Sequence, residues 1–447
     1  MSGHETPAPT RARVLAAMDK PIPQQIKQAF LAMFLAGAAV FIYGAVRGNG
    51  RAWQAFHVSW LFFATISSAA VMFVAAQRIT TARWSRSIIR IMEGFAAFLP
   101  FAFLGLMLTV FVGNKYVYPW WSLPGTGELK HAKDLWLGHG FFAARAAGVM
   151  GVLVILQLWY VWTSVRLDVG VSPEGGAGWA AGIRAAMRRG FRDERRELHS
   201  THSLQGKLAV FMALVFGFGW SMLAWDHSMS LDVHFFSTMY GWAEFMGGWL
   251  VALMIFSGLV RWFADHLQAH DLITEKQLHD IGKLCFAFTA FWGYLNFSQY
   301  LVIWYANMPE ETHFFTLRLS GVWKPVTLAT VFLVFVLPFF GLLSVKAKTW
   351  TPTMMFFAAC SFVGMWLVRY IEVYPSIYML AHPRIGLPLG KWELAIFVGF
   401  VGLFGWSYAQ FMDAFPKMRV FLMTSEFRDE VQVPCDPETM EPLPAHE

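Results

Sequence analysis

The chain has 447 residues, of which 56% are hydrophobic, 17% aromatic and only 14% charged. Soluble domains carry about 25% charged residues, so this composition excludes an ordinary soluble protein and predicts an integral membrane protein. We attribute the formal net charge of +6 to membrane topology and expect no nucleic-acid partner.

Apolar stretches of spanning length follow one another along the chain. A transmembrane helix needs about 20 mostly apolar residues. About ten stretches satisfy this requirement: 25–46, 52–77, 84–112, 139–164, 205–226, 236–262, 280–305, 321–345, 351–374 and 391–415. The predicted fold class is therefore all-α integral membrane, with about ten transmembrane helices. The domain 25–416 lies between an N-terminal tail (1–24) and a C-terminal tail (417–447).

The distribution of Lys and Arg predicts the orientation. These residues are concentrated in the segments on the same side as the termini, so the positive-inside rule predicts a cytoplasmic N-terminus and C-terminus. The tail 1–24 lacks an apolar core before a cleavage site, and no cleaved signal peptide is expected. The arginine-rich segment 165–204 predicts an amphipathic helix on an anionic leaflet or, equally, a basic helix that meets a partner subunit. The aromatic segment 113–138 predicts a loop at the membrane interface.

The chain's cysteines and histidines do not form the known cofactor patterns. Cys285, Cys360 and Cys435 are far apart, and none lies in a CxxC or CxxCH motif. No iron–sulfur cluster, covalent haem or structural disulfide is therefore expected in this chain. We also expect no haem b site, because no two histidines lie at comparable depths on predicted facing helices. No metal site is predicted.

Charged residues at membrane depth need a partner, a cavity or a function. Three pairs near predicted helix ends have the three- or four-residue spacing of contacts on one helix face: Arg261 with Asp265, Asp280 with Lys283, and Asp413 with Lys417.

Glu93 and Arg145 lie deeper, on consecutive antiparallel helices, and are predicted to meet near mid-membrane. Pro100 on the same helix as Glu93 would loosen the backbone and admit water. The pair is either a buried structural ion pair or a step in a proton or quinol path.

Further acids lie in later predicted helices. Glu244 has no partner in the sequence pattern and, left unpaired, is expected to be protonated. It is either a packing acid or a proton carrier. Arg369 and Glu372 are three residues apart and are predicted to pair, and they are also candidates for lining a cavity.

The segment after the fifth predicted helix contains Asp226, His227, Asp232 and His234. These acids and histidines at the outer boundary are candidates for accepting protons from a quinol, because neutral histidine is a suitable base near pH 7. The alternative is a polar loop that caps the next helix.

Four segments resemble a known family. They are ARWSRSIIRIMEG (82–94), KDLWLGHGFFAAR (133–145), AWDHSMSLDVHFFSTMYG (224–241) and ITEKQLHDIGKLCFAFTAFWGYLNFSQYLVIWYANMPEET (273–312). They resemble ActF, a ten-helix subunit of bacterial alternative complex III that is related to ActC and, more distantly, to NrfD-type membrane anchors.

The resemblance implies two four-helix bundles, about 52–226 and 236–374, flanked by the first and last helices. It also implies a bacterial inner-membrane complex with an ActC-like sister subunit, an iron–sulfur subunit and multihaem cytochrome c subunits. Haem c and iron–sulfur clusters would belong to those partners, and quinone or quinol is a possible ligand of this chain. Proton-path residues of the family would map onto Glu93, Arg145, Asp232, His234 and Glu310.

The expected function is that of a membrane subunit of a quinol:cytochrome c oxidoreductase, or of one with another periplasmic acceptor. The subunit would bind quinol, conduct protons, or do both, and would not be catalytic alone. Two alternatives remain at this stage. A secondary transporter would use mid-membrane charges as a substrate site, and a scaffold subunit would hold them as inert internal pairs.

Overall fold

A computed structural model describes residues 10–129, 131–381 and 386–427, without the side chains of residues 131 and 379–381. These residues form helices joined by short connections, and no β-strand occurs among them. The chain is therefore an all-α, multi-pass membrane protein, which confirms the predicted fold class.

We number the long helices in chain order. They are α1 (Gln24–Val46), α2 (Gly50–Ile79), α3 (Ile89–Phe111), α4 (His139–Val171), α5 (Glu194–His227), α6 (Met239–His266), α7 (Glu275–Ala306), α8 (Gly321–Gly341), α9 (Thr351–Ala381) and α10 (Lys391–Ala414). The principal shorter helices are Arg11–Met18, Asn114–Val117, His131–Leu137, Ala181–Arg188, Pro309–Arg318, Val345–Thr349 and Val420–Thr424.

Within the described residues, nine helices are long and apolar enough to cross a membrane. The remaining predicted stretch, 280–305, lies within α7, which is 32 residues long. The α7 sequence includes Asn296, Ser298 and Gln299 among its aromatic residues. These polar side chains lower its mean hydropathy, although α7 packs along α6 as a member of the helical domain.

The long helices form two groups. Helices α2 to α5 pack together as bundle one, and α6 to α9 pack together as bundle two. Helices α1 and α10 pack mainly on each other, and α10 also contacts α2 and α3 of bundle one. The backbone N–H of Ile22, before α1, donates to Asp413 near the end of α10 at 2.9 Å. Both ends of the described chain therefore lie on one side, here called the inner side; the opposite side is the outer side.

The predicted terminal tails are partly folded onto the helical domain. Val14 in the helix Arg11–Met18 is fully buried, and Arg11 forms an ion pair with Glu194 at 2.9 Å. After α10, Lys417 donates to the Met18 carbonyl at 3.0 Å. The helix Val420–Thr424 packs on α4, so the chain contributes to bundle one well beyond the predicted boundary at residue 416. Cys435 and the rest of 428–447 lie outside the described residues.

The segment 165–204 does not form one amphipathic helix. Helix α4 continues to Val171, the short helix Ala181–Arg188 follows, and α5 begins at Glu194. Arg184 donates to the carbonyl of Ala414 at 3.0 Å, and Arg188 donates to that of Ser172 at 2.9 Å. These two hydrogen bonds fix the connection between α4 and α5 to the backbone at the ends of α10 and α4.

Only one of the three predicted pairs near helix ends is present. Asp280 and Lys283 are 2.7 Å apart. The prediction for Arg261 is wrong, because its guanidinium donates to the carbonyls of Ser257 and Lys348 at 2.8 and 2.6 Å.

The prediction for Asp413 and Lys417 is also wrong. Helix α10 ends at Ala414, between the two residues, so they do not share a helix face. Asp413 forms its ion pair with Lys27 of α1 at 2.7 Å.

Close packing of α1 on α10 depends on two glycines. A Cβ atom built on Gly37 would lie 2.3 Å from the Cα of Gly399, a distance that no side chain tolerates. Small residues at such crossings let two membrane helices approach closely. The contact therefore positions α10 against bundle one.

We expect Gly399→Leu to force α1 and α10 apart and to destabilise the fold by about 1–3 kcal/mol or more, as overpacking does. Thermal unfolding of the purified chain in detergent measures the effect. Gly148→Leu is the matched control, since a Cβ on Gly148 meets nothing within 4 Å. Equal unfolding temperatures for the two variants would contradict the expectation.

Candidate functional site

The inner half of bundle one contains a cluster of buried charged side chains. Arg90 and Glu93, three residues apart at the start of α3, are in direct contact, and Arg90 also contacts Asp168 on α4. These side chains are at most 2% exposed. Ser164, one turn before Asp168, donates a hydrogen bond to Glu93 Oε1 at 2.8 Å. One guanidinium is therefore shared by two carboxylates at a depth where an unpaired charge is costly.

The backbone of α3 explains the position of Glu93. Immediately after Glu93 the helix tightens into a 3₁₀ segment, Gly94–Phe98, which precedes Pro100. Proline has no N–H to donate within a helix, so the regular pattern is interrupted at this point. A Cβ on Gly94 would lie 2.6 Å from the ring of Tyr408. This close approach of α3 to α10 brings Glu93 near the segment that follows α10.

That segment completes the cluster. Arg419 Nη2 donates to Glu93 Oε1 at 2.7 Å and contacts Ser164 Oγ at 2.6 Å. The backbone N–H of Phe421 donates to Asp168 Oδ1 at 2.8 Å. Together Arg90, Glu93, Ser164, Asp168 and Arg419 are called the inner cluster. Its two cations and two anions balance each other.

The predicted contact between Glu93 and Arg145 is wrong. Glu93 contacts Arg90 and Arg419, whereas Arg145 forms its ion pair with Asp226 of α5. Arg145 lies near the outer end of α4 and Glu93 near the inner end of α3. The distance between these two depths exceeds what the two side chains span, and each has a closer partner.

A small cavity of about 70 Å³ adjoins the inner cluster. Asp168 and Arg419 line one part of it, and Gln77, Ser85 and Gln205 contribute further polar groups. A polar cavity of this size has room for a small number of water molecules. The cavity therefore supplies a place for water beside the inner cluster.

Polar contacts continue towards the middle of bundle one. Gln205 donates to Thr163, the neighbour of Ser164, at 3.2 Å. Further out, Gln157 and Trp220 both donate to the Ser68 hydroxyl, at 2.8 and 2.7 Å. Helices α2, α4 and α5 thus share two buried polar contacts between the inner cluster and the outer half of the bundle.

At the outer end of bundle one, Arg145 and Asp226 form a bidentate ion pair. Arg145 Nε and Nη2 donate to the two carboxylate oxygens at 2.7 and 2.8 Å. Trp136 Nε1 donates to Asp226 at 3.0 Å, and the guanidinium lies 3.8 Å from the centre of the Trp136 ring. Both charged side chains are at most 6% exposed.

The next residue of α5, His227, lies among buried polar groups. His227 Nδ1 is 2.7 Å from the Tyr118 hydroxyl, and the His227 carbonyl is 2.6 Å from His57 Nε2. Ser228 follows, and its hydroxyl is 2.6 Å from that of Tyr240 in bundle two. The outer end of α5 therefore joins α4, the 113–138 segment, α2 and α6 through consecutive residues.

The expectation that no two histidines lie at comparable depths on facing helices is wrong. The rings of His57 and His227 are 6.4 Å apart and fully buried. The rings of Trp60 and Phe142 lie 5.7 and 5.2 Å from that of His227. The space around the two histidines is thus filled by protein side chains.

Bundle two contains its own charged cluster. Arg369 on α9 contacts the Glu244 carboxylate of α6, and its Nη1 lies 2.5 Å from Glu372 Oε2. Its Nη2 also donates to the Glu244 carbonyl at 2.7 Å. The predicted pair of Arg369 and Glu372 is present. The interpretation of Glu244 as an unpaired acid is wrong, because α6 and α9 pack side by side and bring Arg369 to it.

Three other candidates lie apart from these clusters. His234 is exposed in the outer connection, where its backbone N–H donates to Asp232 Oδ1 at 3.3 Å. Glu310 is exposed in the first turn of the helix Pro309–Arg318. The alternative of a polar loop therefore describes Asp232 and His234, whereas Asp226 and His227 are buried in bundle one.

Several members of the clusters were not predicted from the sequence. Arg90 was detectable, because it lies three residues before Glu93 on the same helix face. Asp168 lies in the segment 165–204, which was predicted to form an amphipathic or partner-binding helix, and Arg419 lies in the predicted C-terminal tail. His57 carries no neighbouring pattern that distinguishes it from a packed histidine.

The chain matches no protein-family model and no curated protein. Among the described residues, no three His, Cys, Asp or Glu side chains are close enough together to hold a metal ion.

Proposed function

We propose that this chain is a proton-conducting membrane subunit of a bacterial quinol oxidoreductase of the alternative complex III type. The resemblance of residues 82–94, 133–145, 224–241 and 273–312 to ActF supports the family. In this proposal the chain lies in the inner membrane with both termini in the cytoplasm. The iron–sulfur and multihaem cytochrome c subunits carry the electrons, and an ActC-like subunit lies beside this chain.

The observation that carries the proposal is the environment of Glu93. Its carboxylate is fully buried, yet it contacts two arginines and a serine hydroxyl and lies in a cluster that adjoins a polar cavity. Buried ionisable groups in membrane domains commonly mark proton relays. A proton that enters through the cavity would reach Glu93 by way of Asp168 and Ser164.

The remaining path uses the polar contacts further out. From the inner cluster, protons would pass by Thr163 and Gln205 to the Ser68 contact, and then towards His57 and His227. Water molecules would bridge the intervals between these groups, as in other buried relays. This series of polar groups follows bundle one from its inner to its outer half.

The first test is assembly. An affinity-tagged chain, purified from membranes of the organism that makes it, is expected to co-purify with iron–sulfur and multihaem subunits in fixed proportion. Purification without these partners, together with substrate uptake by the isolated chain in vesicles, would contradict the proposal and favour a secondary transporter.

The second test is Glu93→Gln in the intact complex reconstituted into vesicles. We expect proton movement coupled to quinol oxidation to fall at least tenfold, because the amide no longer binds and releases a proton. Asp280→Asn is the matched control, since that acid belongs to an inner-side pair with Lys283 that is partly exposed. Proton movement equal to that of the parent complex in an assembled Glu93→Gln complex would overturn the proposal and leave only a scaffold.

A further inference from the structure

We propose that a groove between α3, α4 and α10 binds one anionic phospholipid, with an acyl chain in the groove and the phosphate beside Arg184. The groove is a cavity of about 690 Å³. A second, polar cavity of about 450 Å³ adjoins it on the inner side, and Phe415 lines both cavities. The inference does not depend on the proposed proton conduction, because it uses none of the groups assigned to that path.

The walls of the groove are apolar and reach the surface of the helical domain. Phe101 of α3, Trp162 of α4 and Phe411 of α10 are among the residues that line it. Trp162 is 38% exposed, so the groove is open to the surrounding lipid. Ala96 and Ala97, in the 3₁₀ segment of α3, also line it. Their small side chains leave the space that an acyl chain would fill.

The groove has the depth of one lipid leaflet. Phe415 directly follows α10 on the inner side, whereas Phe101 lies twelve residues after the start of α3 at Ile89. Twelve residues of helix correspond to about 18 Å at 1.5 Å per residue. One leaflet contributes about half of a hydrocarbon core that is about 30 Å thick. A single acyl chain therefore matches the groove in length.

The short helix Ala181–Arg188 covers the inner end of the groove. Ile183 and Met187 on this helix, and Trp179 just before it, are spaced four residues apart and line the groove together. Trp179 Nε1 donates to the side chain of Gln410 on α10 at 3.1 Å, and the tryptophan is 58% exposed. Tryptophan in this half-exposed state is typical of the level of lipid head groups. The short helix therefore marks the inner membrane interface.

Arg184, on another face of the short helix, supplies a positive charge without a counter-charge. Its Nη1 donates to the carbonyls of Ala177 and Ala414 at 2.9 and 3.0 Å, and within the described chain it pairs with no carboxylate. It also lines the polar cavity. Because a guanidinium keeps its charge and has five N–H donors, Arg184 can donate to a phosphate while it holds the backbone.

The charges around the polar cavity sum to +1. Arg188 pairs with Glu174 at 3.0 Å and Lys27 with Asp413 at 2.7 Å, which leaves Arg184 as the surplus once all lining charges are counted. The charged residues that line the cavity are Lys27, Arg184, Arg188, Lys417, Asp19, Glu174 and Asp413. A phospholipid with a single negative charge, such as phosphatidylglycerol, would neutralise this surplus. Phosphatidylcholine would bring its own cation to the same place.

The site is tested by lipid titration of the purified full chain in detergent. Native mass spectrometry counts the lipids that remain bound, and thermal unfolding measures the stabilisation that they give. We expect one retained phosphatidylglycerol, and at least tenfold weaker binding of phosphatidylcholine. Equal retention of the two lipids would overturn the inference, because the surplus charge would then not select the head group.

Two replacements of Arg184 separate its charge from its contacts with the backbone. Arg184→Gln should weaken phosphatidylglycerol binding about fivefold, which corresponds to about 1 kcal/mol for one interfacial cation. Arg184→Lys should retain most of the affinity, because it keeps the charge although it also loses the geometry of the guanidinium. Equal losses in the two variants would contradict the assigned role of the charge.

Ala97→Phe tests the groove, since the added ring would occupy the place of the acyl chain. We expect it to weaken phosphatidylglycerol binding at least tenfold. Gly148→Phe is the matched control, because Gly148 is exposed on α4, does not line the groove and has nothing within 4 Å of a built Cβ. Parent-like binding by Ala97→Phe would overturn the inference, as would a partner helix in the groove in a density map of the assembled complex.

Discussion

Replacing Arg369 by methionine should destabilise the protein by about 3–5 kcal/mol, the usual cost of leaving a buried charge without its partner. Arg369 and Glu244 are at most 1% exposed, so water cannot take over the role of the guanidinium. Helices α6 and α9 would lose their main polar contact. The unfolding midpoint of the purified chain in mixed detergent micelles measures the change.

A double variant separates the loss of charge pairing from the loss of packing. Arg369→Met combined with Glu244→Gln removes the fully buried one of the two carboxylates that lose their partner and leaves the partly exposed Glu372, so we expect it to recover most of the lost stability. A single variant as stable as the parent protein would show that Glu244 is neutral in the folded state, contrary to the ion pair described above.

The second large effect is expected for Arg145→Met at the outer end of bundle one. Asp226 is 1% exposed, and after this change only Trp136 would donate to its carboxylate. We expect a loss of about 3–5 kcal/mol for the same reason. Arg145→Lys should restore only part of it, because lysine cannot make the two parallel hydrogen bonds of the guanidinium.

Hydrogen exchange of the backbone amides provides a local readout for Arg145→Met. Since Asp226, His227 and Ser228 join both bundles, exchange should accelerate at the end of α5 and in the 113–138 segment. The double variant Arg145→Met/Asp226→Asn should show exchange rates closer to those of the parent protein. Unchanged protection in the single variant would contradict the assigned role of the pair.

The sequence predicted what depends on local spacing. Apolar runs of about 20 residues located the spanning helices. The three-residue spacings of Asp280 with Lys283 and of Arg369 with Glu372 correctly predicted contacts on one helix face. These relations need no knowledge of how the helices pack, and so they can be inferred from one chain alone.

Contacts between helices could not be predicted in the same way. Depth estimates placed Glu93 and Arg145 near each other, but the structure places Glu93 beside Ser164 near the inner end of α4 and Arg145 near its outer end. The apolar pattern specifies neither the exact depth of a side chain nor the face of the helix that it occupies. The partner of Arg145 is 81 residues away in the sequence, and Glu244 meets an arginine 125 residues away. Such pairings are set by the packing of α4 on α5 and of α6 on α9.

The position of Arg419 has a consequence for biogenesis. A ribosome makes Glu93 long before it makes Arg419, and helices α4 to α10 are made in between. During that interval Arg90 must neutralise both Glu93 and Asp168, so newly inserted bundle one is one cation short. The inner cluster therefore becomes complete only after residue 419 has been made and the segment that follows α10 has packed against α3 and α4.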